Sequence, residues 1–397
     1  MAINRTSPKK GKVVDIPTAP TIGTANASGE VAFTPSTKGG PASTYTAVSN
    51  PGSFTTTGSS SPLTVTGMTN GTAYTFTVRA NNATGSSESS PASNSITFSG
   101  PIATGGITSS DSTYWYHTFL TSGTFTAPQT LVCDYLIVGG GGGGGGGLFA
   151  NSNGGGGGGA GGVRTFTSDS LTANSYTVTI GGPGAAGSTG GPGYGGNGGT
   201  TTFRGNSTSG GGGGGSEGVT NNNGSGKGSN GASGGGSSGS GTNSTVAATG
   251  NIGGYSPVEG YAGGAWVGGR ASGSGGGGAG AVGVSPLDNN SGGYGGIGLT
   301  SALINAMASA TGRGVLSGGN YYFAGGGGGA SYESSGSTYN VGGIGGGGKG
   351  NSFRSFPGDG TAGTANTGGG GGGGNSGGSA RDGYAGGSGI VIIRYPK

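Results

Sequence analysis

The residue types that most often supply a base, a nucleophile or a metal ligand are rare in this chain. Histidine and cysteine occur once each among the 397 residues, as His117 and Cys133. His117 lies in "YWYHTF" and Cys133 in "LVCDYLIV". Both runs are strand-like, so we expect a packed histidine and a buried, unreactive thiol. The 12 acidic residues are dispersed and no Cys/His metal spacing occurs, which predicts a protein that is not an enzyme and has no cofactor and no metal site.

Aromatic residues between the glycine runs are the remaining candidates for a functional role. Aromatic rings stack on sugar faces and anchor interfaces at a low cost in conformational entropy. The same rings could instead fill gaps and cover a glycine-rich structure, and the sequence leaves both interpretations open. The receptor-binding candidates are Tyr255, Tyr261, Trp266, Tyr294, Tyr321, Tyr322, Tyr332 and Tyr339.

The composition fits neither an ordinary globular protein nor an ordinary disordered one. Glycine contributes 112 of the 397 residues, charged residues are only 7% and apolar residues 29%. Disordered chains usually combine high net charge with few aromatics, whereas this chain has 16 Tyr and 12 Phe. The net charge of +4 is small, and the Lys and Arg residues are mostly scattered along the sequence. We therefore expect no nucleic-acid partner.

Glycine occurs in runs of up to nine residues, as in 139–147, 154–159, 210–215, 325–329 and 368–374. Collagen is excluded because it needs a strict Gly-X-Y repeat. A flexible coil fits 224–244, which has a linker-like composition. The repeated runs favour packed polyglycine II helices, in which glycine backbones approach closely and form hydrogen bonds between helices. At about 3.1 Å per residue, nine residues span about 28 Å.

Strand-like runs bracket the glycine runs. "TYWYHTFLTSGTFTAP" and "LVCDYLIV" precede them, and "GIVIIRYPK" closes the chain. An exposed "IVII" would promote aggregation, so we expect the last strand to pair with strands near 114–138. This predicts one mostly β, glycine-rich domain over 113–397, preceded by a linker over 99–112 with a turn-like composition.

The N-terminal part divides into an arm and a β-sandwich. Residues 1–17 are basic and polar, and Lys9, Lys10 and Lys12 are candidates for anchoring to a larger assembly; a solvated tail is the alternative. Residues 18–98 contain short alternating runs, the clearest being "AYTFTVRANN". Met68 precedes Tyr74 by six residues, and this spacing is similar to that of fibronectin type III domains. The resemblance implies that Tyr74 forms a tyrosine corner and that Phe33 takes the place of the usual Trp.

The order of runs and strands over 113–397, from "DYLIVGGGGGGG" through "YYFAGGGGGA" to "GGSGIVIIRY", resembles the glycine-rich domains of bacteriophage tail fibres and adhesins. The resemblance implies a polyglycine II sandwich whose end loops contact a host receptor. We therefore expect a virion protein for host recognition, with a host glycan or outer-membrane protein and other virion proteins as partners. The protein could also form a homo-oligomer such as a trimer.

Two other functions stay open. The chain could be a purely structural virion component, such as a capsid or tail decoration, or a glycine-rich cell-surface matrix protein. The first 17 residues contain no apolar leader segment and no run of about 18 apolar residues occurs. These features favour synthesis in a host cytoplasm followed by incorporation into a virion, and they count against the matrix protein.

Overall fold

The fold is taken from a computed structural model that describes residues 15–147, 153–189, 193–216, 220–221, 224–239, 246–268, 271–288, 291–331, 340–352, 360–375 and 381–397. The chain forms two compact units. One ends at Ile102 and the other spans Ala103–Pro396.

The first unit is a β-sandwich of two antiparallel sheets. Its strands are β1 (Thr21–Ala25), β2 (Glu30–Thr34), β3 (Thr44–Asn50), β4 (Thr55–Gly58), β5 (Leu63–Thr64), β6 (Ala73–Asn82), β7 (Gly85–Ser86) and β8 (Ile96–Thr97). One sheet has the order β1-β2-β5, and the other has the order β4-β3-β6-β7, with β8 also paired to β6. Alternate residues of β6, from Tyr74 to Ala80, are buried because successive side chains of a strand point to opposite faces.

Tyr74 forms the predicted tyrosine corner. Its hydroxyl accepts a hydrogen bond of 3.0 Å from the Thr69 amide. Met68 is buried beside it, and Phe33 packs on Tyr45 with ring centroids 4.7 Å apart. The core is therefore closed with Phe33 at the position where the sequence comparison expected a Trp.

The second unit contains the remaining strands and the helix of the described residues. They are β9 (Ile107–Ser110), β10 (Tyr114–Phe119), β11 (Gly123–Ala127), β12 (Leu131–Val138), β13 (Val163–Leu171), β14 (Asn174–Thr179), β15 (Thr201–Phe203), β16 (Asn206–Thr208), β17 (Thr220–Asn221), β18 (Gly224–Ser225), α1 (Ala302–Thr311), β19 (Val315–Ser317), β20 (Asn320–Tyr322) and β21 (Ile390–Pro396). A five-stranded sheet has the order β13-β12-β21-β10-β9, and a four-stranded sheet has the order β11-β14-β15-β16.

The last strand, β21, occupies the centre of the five-stranded sheet. The prediction that it pairs with strands near 114–138 is confirmed. β21 pairs antiparallel with β10 on one side and with β12 on the other. Arg394 lies opposite Asp134 in this register and forms an ion pair of 2.8 Å with it. All four residues of "IVII" are buried, so the apolar end of the chain presents no free edge.

An aromatic layer joins the two sheets of this unit. Phe125 of the four-stranded sheet packs against His117 at 5.2 Å, and Phe203 packs against Tyr135 at 5.0 Å. The opposite face of the five-stranded sheet, with Leu136 and Ile392, contacts α1. These two contacts bury both faces of the central strands.

Two local features differ from the sequence interpretation. The expected linker over 99–112 includes β9, which pairs with β10, because Ile107–Ser110 supplies an edge strand to the five-stranded sheet. The helix α1 was not anticipated. Ser301 caps its first turn through a hydrogen bond from the Ile304 amide, and Gly312 ends it with a φ of 65°.

Candidate functional site at the outer end of the glycine rods

The glycine runs form extended rods that bond to different neighbours with a period of three residues. In rod 139–147, the amides of Gly139, Gly142 and Gly145 donate to rod 154–162 at 2.8–2.9 Å. The amide of the residue after each of these three donates to rod 193–199. The amide of the residue after that donates to rod 381–387. A polyglycine II helix has three residues per turn, so its amides point in three directions in succession. The packed rods predicted from the sequence are therefore confirmed.

Six rods surround rod 139–147. Its amides donate to three rods, and its carbonyls accept from rods 184–187, 211–214 and 371–374. The backbone groups of this buried rod are thus paired outside any sheet. A Cβ atom at Gly143 would overlap the carbonyl oxygen of Ala185, so close packing depends on the absence of side chains.

The rods have two distinct ends. Rod 139–147 continues directly from β12, and Gly139 bonds to Gly162, which precedes β13. This end adjoins the β-sheets. At the opposite end, which we call the outer end, the Gly147 amide donates to the Arg381 carbonyl at 2.9 Å.

At the outer end lie the described residues that flank nine segments, each of which joins one rod to the next in the sequence. The flanking residues bond across the bundle: Gly154 donates to Ala271, Gly239 donates to Gly154, and Ser331 donates to Asn351. The connections contain 148–152, 190–192, 217–223, 240–245, 269–270, 289–290, 332–339, 353–359 and 376–380. Segments from most of the domain's length therefore start at one end of a single scaffold.

Buried serine and asparagine side chains close the rods at the outer end. The Asn340 Oδ1 atom accepts from the Gly292 amide at 2.7 Å, and its Nδ2 atom donates to the hydroxyls of Ser331 and Ser352 at 3.0 Å. The Ser216 hydroxyl donates to the Gly146 carbonyl at 2.8 Å. Where a rod ends, its neighbour loses a backbone partner, and a short polar side chain replaces it.

These polar residues were not singled out in the sequence, although a signal for them exists. Asn or Ser directly flanks many glycine runs, as in "NSNGGGGGG", "GGGGGS" and "GGGGGGNS". In a flexible linker such residues carry no positional meaning. In packed rods, the same position marks the place where backbone pairing stops.

The aromatic candidates are distributed over several places. Tyr261, Trp266 and Tyr294 lie on rods rather than in the outer connections, and Trp266 Nε1 donates to the Gly239 carbonyl at 2.6 Å. Tyr321 and Tyr322 belong to β20, and Tyr321 packs beside the core of the second unit. Their role in receptor binding stays a prediction.

Tyr255 has an internal role at the end near the sheets. The Arg164 guanidinium lies 3.8 Å from the centroid of its ring, and its hydroxyl is 2.9 Å from the Ser207 hydroxyl. The candidates Tyr332 and Tyr339 and the anchoring candidates Lys9, Lys10 and Lys12 lie outside the described residues.

His117 and Cys133 both occupy the core. The His117 Nδ1 atom donates to the Gly105 carbonyl at 2.6 Å, and its ring stacks on Tyr395. Burial lowers the pKa of His117, although the hydrogen bond to Gly105 opposes this shift. Burial, together with the nearby carboxylates, raises the pKa of Cys133 to about 12. At neutral pH the thiol is protonated and inaccessible, as predicted for a structural cysteine.

The part of the chain described by the structure holds no group of three or more His, Cys, Asp or Glu side chains arranged for a metal ion. Over the same part, no helix has the length and apolar character required to cross a bilayer.

Comparison with known families agrees with the two units. The fibronectin type III domain family matches residues 15–96, and the glycine-rich domain family matches residues 118–396. No curated protein matched the chain. Because the second match covers more than half of the sequence, the chain belongs to the glycine-rich domain family, with a fibronectin type III domain ahead of the glycine-rich domain.

Proposed function

We propose that this protein is a phage virion protein of the tail fibre or adhesin type, in which the outer end of the rods presents the host-recognition surface. The supporting observation is the common location of the rod ends that flank nine separate connections. In such a surface, the amino-acid sequence of each connection can vary while the rods stay unchanged.

Rigid rods suit such a role for an energetic reason. A connection held at both ends by hydrogen-bonded rods loses less conformational entropy on binding than a free tail does. The buried hydrogen bonds of Asn340 and Ser216 fix the rod ends from which the connections leave. The partner in this proposal is a host-surface glycan or outer-membrane protein, and the residues that contact it include aromatic ones.

The β-sheets and the fibronectin type III unit then act as a support and a spacer. The outward positions of β6 are mainly Thr and Asn, and its apolar residues form its own core. We further propose that the chain has no catalytic role, since His117 and Cys133 are buried in the core.

Binding of the full chain to intact candidate host cells tests this function. We expect the variant Tyr332→Ser with Tyr339→Ser to bind at least tenfold more weakly, because interface aromatics often contribute about 2 kcal/mol or more. The matched control is Leu316→Ser, which is 60% exposed in β19 near the sheets. Its binding should equal that of the unchanged chain.

Two outcomes contradict the proposal. If residues 15–102 alone account for the cell binding, the outer end is not the recognition surface. If the chain binds none of the candidate hosts yet co-purifies with virions, a purely structural virion role replaces the adhesin.

A further inference from the structure

A recess interrupts the four-stranded sheet at the place where β15 ends. β15 pairs only with Val178 and Thr179 of β14, so within the described residues no strand lies beside Asn174–Thr177 on this side. The recess has a volume of about 510 Å³, inside the range of about 300–1,000 Å³ that is usual for small-ligand sites. It is lined by Ser175, Tyr176, Thr177, Thr202, Arg204 and Gly205.

The main chain of β14 presents polar groups toward the recess. Thr126 of β11 exchanges backbone hydrogen bonds of 3.0 Å with Thr104, on the side away from β14. Thr126 and Ser175, which lie opposite each other, therefore form a pair without hydrogen bonds between them. Since backbone groups alternate between the two edges of an antiparallel strand, Ser175 and Thr177 direct their N–H and C=O groups away from β11 and toward the recess.

Three hydroxyl side chains stand around the recess on the outer face of the sheet. Val178 and Phe203 are buried on the inner face, so their neighbours Thr177 and Thr202 point outward, as does Ser175. Ser175 and Thr177 are exposed, and Thr202 is half-buried. Each hydroxyl can donate one hydrogen bond and accept others, so this face can pair with a ligand that has both kinds of group.

Arg204 has a left-handed backbone conformation at the edge of the recess. Arg204 and Gly205 form the turn between β15 and β16 with φ values of 52° and 75°, a geometry in which Asn-Gly or Asp-Gly is preferred. The Arg204 guanidinium is held by the Asp169 carboxylate at 3.0 Å and the Ser170 carbonyl at 2.7 Å. The side chain stays 34% exposed. These contacts use two of its five N–H groups, so fixed donors remain beside the recess.

These groups together suit a neutral sugar. A sugar hydroxyl both donates and accepts, so it can pair with side-chain hydroxyls, main-chain groups and guanidinium donors. Arg204 is paired with Asp169, and the other lining residues are uncharged, which favours an uncharged ligand. An added peptide strand fits less well, because the Ser175 amide that it would use already donates to the Asn174 Oδ1 atom at 2.8 Å.

We propose that this recess is a binding subsite for a neutral oligosaccharide. The hydroxyls of Thr177 and Thr202 and the guanidinium of Arg204 hold the sugar hydroxyls, and the main-chain groups of Ser175 add further hydrogen bonds. The recess belongs to the β-sheets, whereas the connections proposed for host recognition leave from the outer end of the rods. The subsite is therefore independent of that proposed function.

Saturation-transfer NMR of the full chain with maltohexaose, cellohexaose and chitohexaose tests the subsite. We expect at least one of the three to bind. Thr177→Val with Thr202→Val should weaken that binding at least about tenfold, because hydrogen-bonding groups are lost while the shape and strand preference of the side chains are kept. The matched control, Thr165→Val with Thr167→Val, replaces two exposed threonines of β13 and should bind like the unchanged chain.

Arg204→Asn separates the guanidinium from the turn. Asn suits the left-handed position, so the turn should form and the circular dichroism spectrum should stay unchanged. Oligosaccharide binding should again weaken at least about tenfold. Full binding by this variant, or by Thr177→Val with Thr202→Val, would overturn the subsite.

Two further outcomes would also overturn the subsite, and each differs from a failure of the proposed host recognition. One is that none of the three oligosaccharides binds the full chain, which leaves cell binding by the outer end unaffected. The other is that Tyr332→Ser with Tyr339→Ser abolishes oligosaccharide binding while the recess variants keep it. That result would place the sugar at the outer end of the rods.

Discussion

At the scale of single residues, glycine is required wherever one rod faces another. Gly143 lies inside the bundle, and a Cβ atom there would overlap the backbone of Ala185. Gly182 lies at the edge, where a Cβ atom would meet nothing within 4 Å, and it precedes Pro183, where extended backbone is favoured. The same substitution should therefore be strongly destabilising at Gly143 and nearly neutral at Gly182.

We expect Gly143→Val to lower the free energy of unfolding of the second unit by at least about 3 kcal/mol, because the rods must separate to admit the side chain. Gly182→Val should change it by less than about 1 kcal/mol. Thermal unfolding followed by circular dichroism measures both variants. Equal melting temperatures for Gly143→Val and the unchanged chain would indicate that the rods are not tightly packed.

His117 should make the second unit sensitive to acid. Burial lowers its native pKa below the value of about 6.5 in an unfolded chain, so the unfolded state binds the proton more readily. The contribution of His117 is therefore complete above pH 6.5 and decreases below it by at most about 1.4 kcal/mol per pH unit, until the native pKa is reached. Melting temperatures between pH 7.5 and pH 5 should fall less steeply for His117→Gln. The same slope in both proteins would exclude His117 as the titrating group.

At the scale of elements, the segment before β10 belongs to the fold. The Ala103 amide donates to the Tyr395 hydroxyl at 3.1 Å, Gly105 accepts from His117, and β9 pairs along β10. A fragment over 103–397 should therefore unfold at a higher temperature than one over 113–397, which lacks these contacts. The difference should be of the order of 10 °C, since the strand pairing of β9 and the hydrogen bonds of Ala103 and Gly105 are lost together. Equal melting temperatures would show that β9 adds nothing to the stability of the sheet.

At the scale of the whole molecule, the two units have separate cores. The first is held by residues such as Phe76 and Val78, and the second by the sheets and the glycine rods. Calorimetry of the full chain should show two transitions that match those of fragments 15–102 and 103–397, because domains with their own cores can unfold independently. Val78→Asp should remove the first transition and leave the second in place. A single transition lost in that variant would mean that the units unfold together.

The sequence by itself determined the elements whose signals are local. Alternation in "AYTFTVRANN" and the spacing of Met68 and Tyr74 predicted the fibronectin type III unit. The apolar run "IVII" predicted a covered strand, because an exposed apolar strand would promote aggregation. This prediction does not depend on which partner covers the strand. The glycine runs lack the Gly-X-Y repeat of collagen, and they alternate with apolar strands. These two features predicted packed rods.

Only the tertiary structure decided which rods are neighbours. A glycine run contains no side chain that specifies a partner, so the contacts of Gly143 depend on the path of the whole chain. For the same reason, the sequence could not show that the rods containing Ile297 and Val341 are neighbours, or that Asn340 closes a rod end. The neighbours of a rod are fixed by residues far away in the chain, through hydrogen bonds between backbones that are chemically identical along their length.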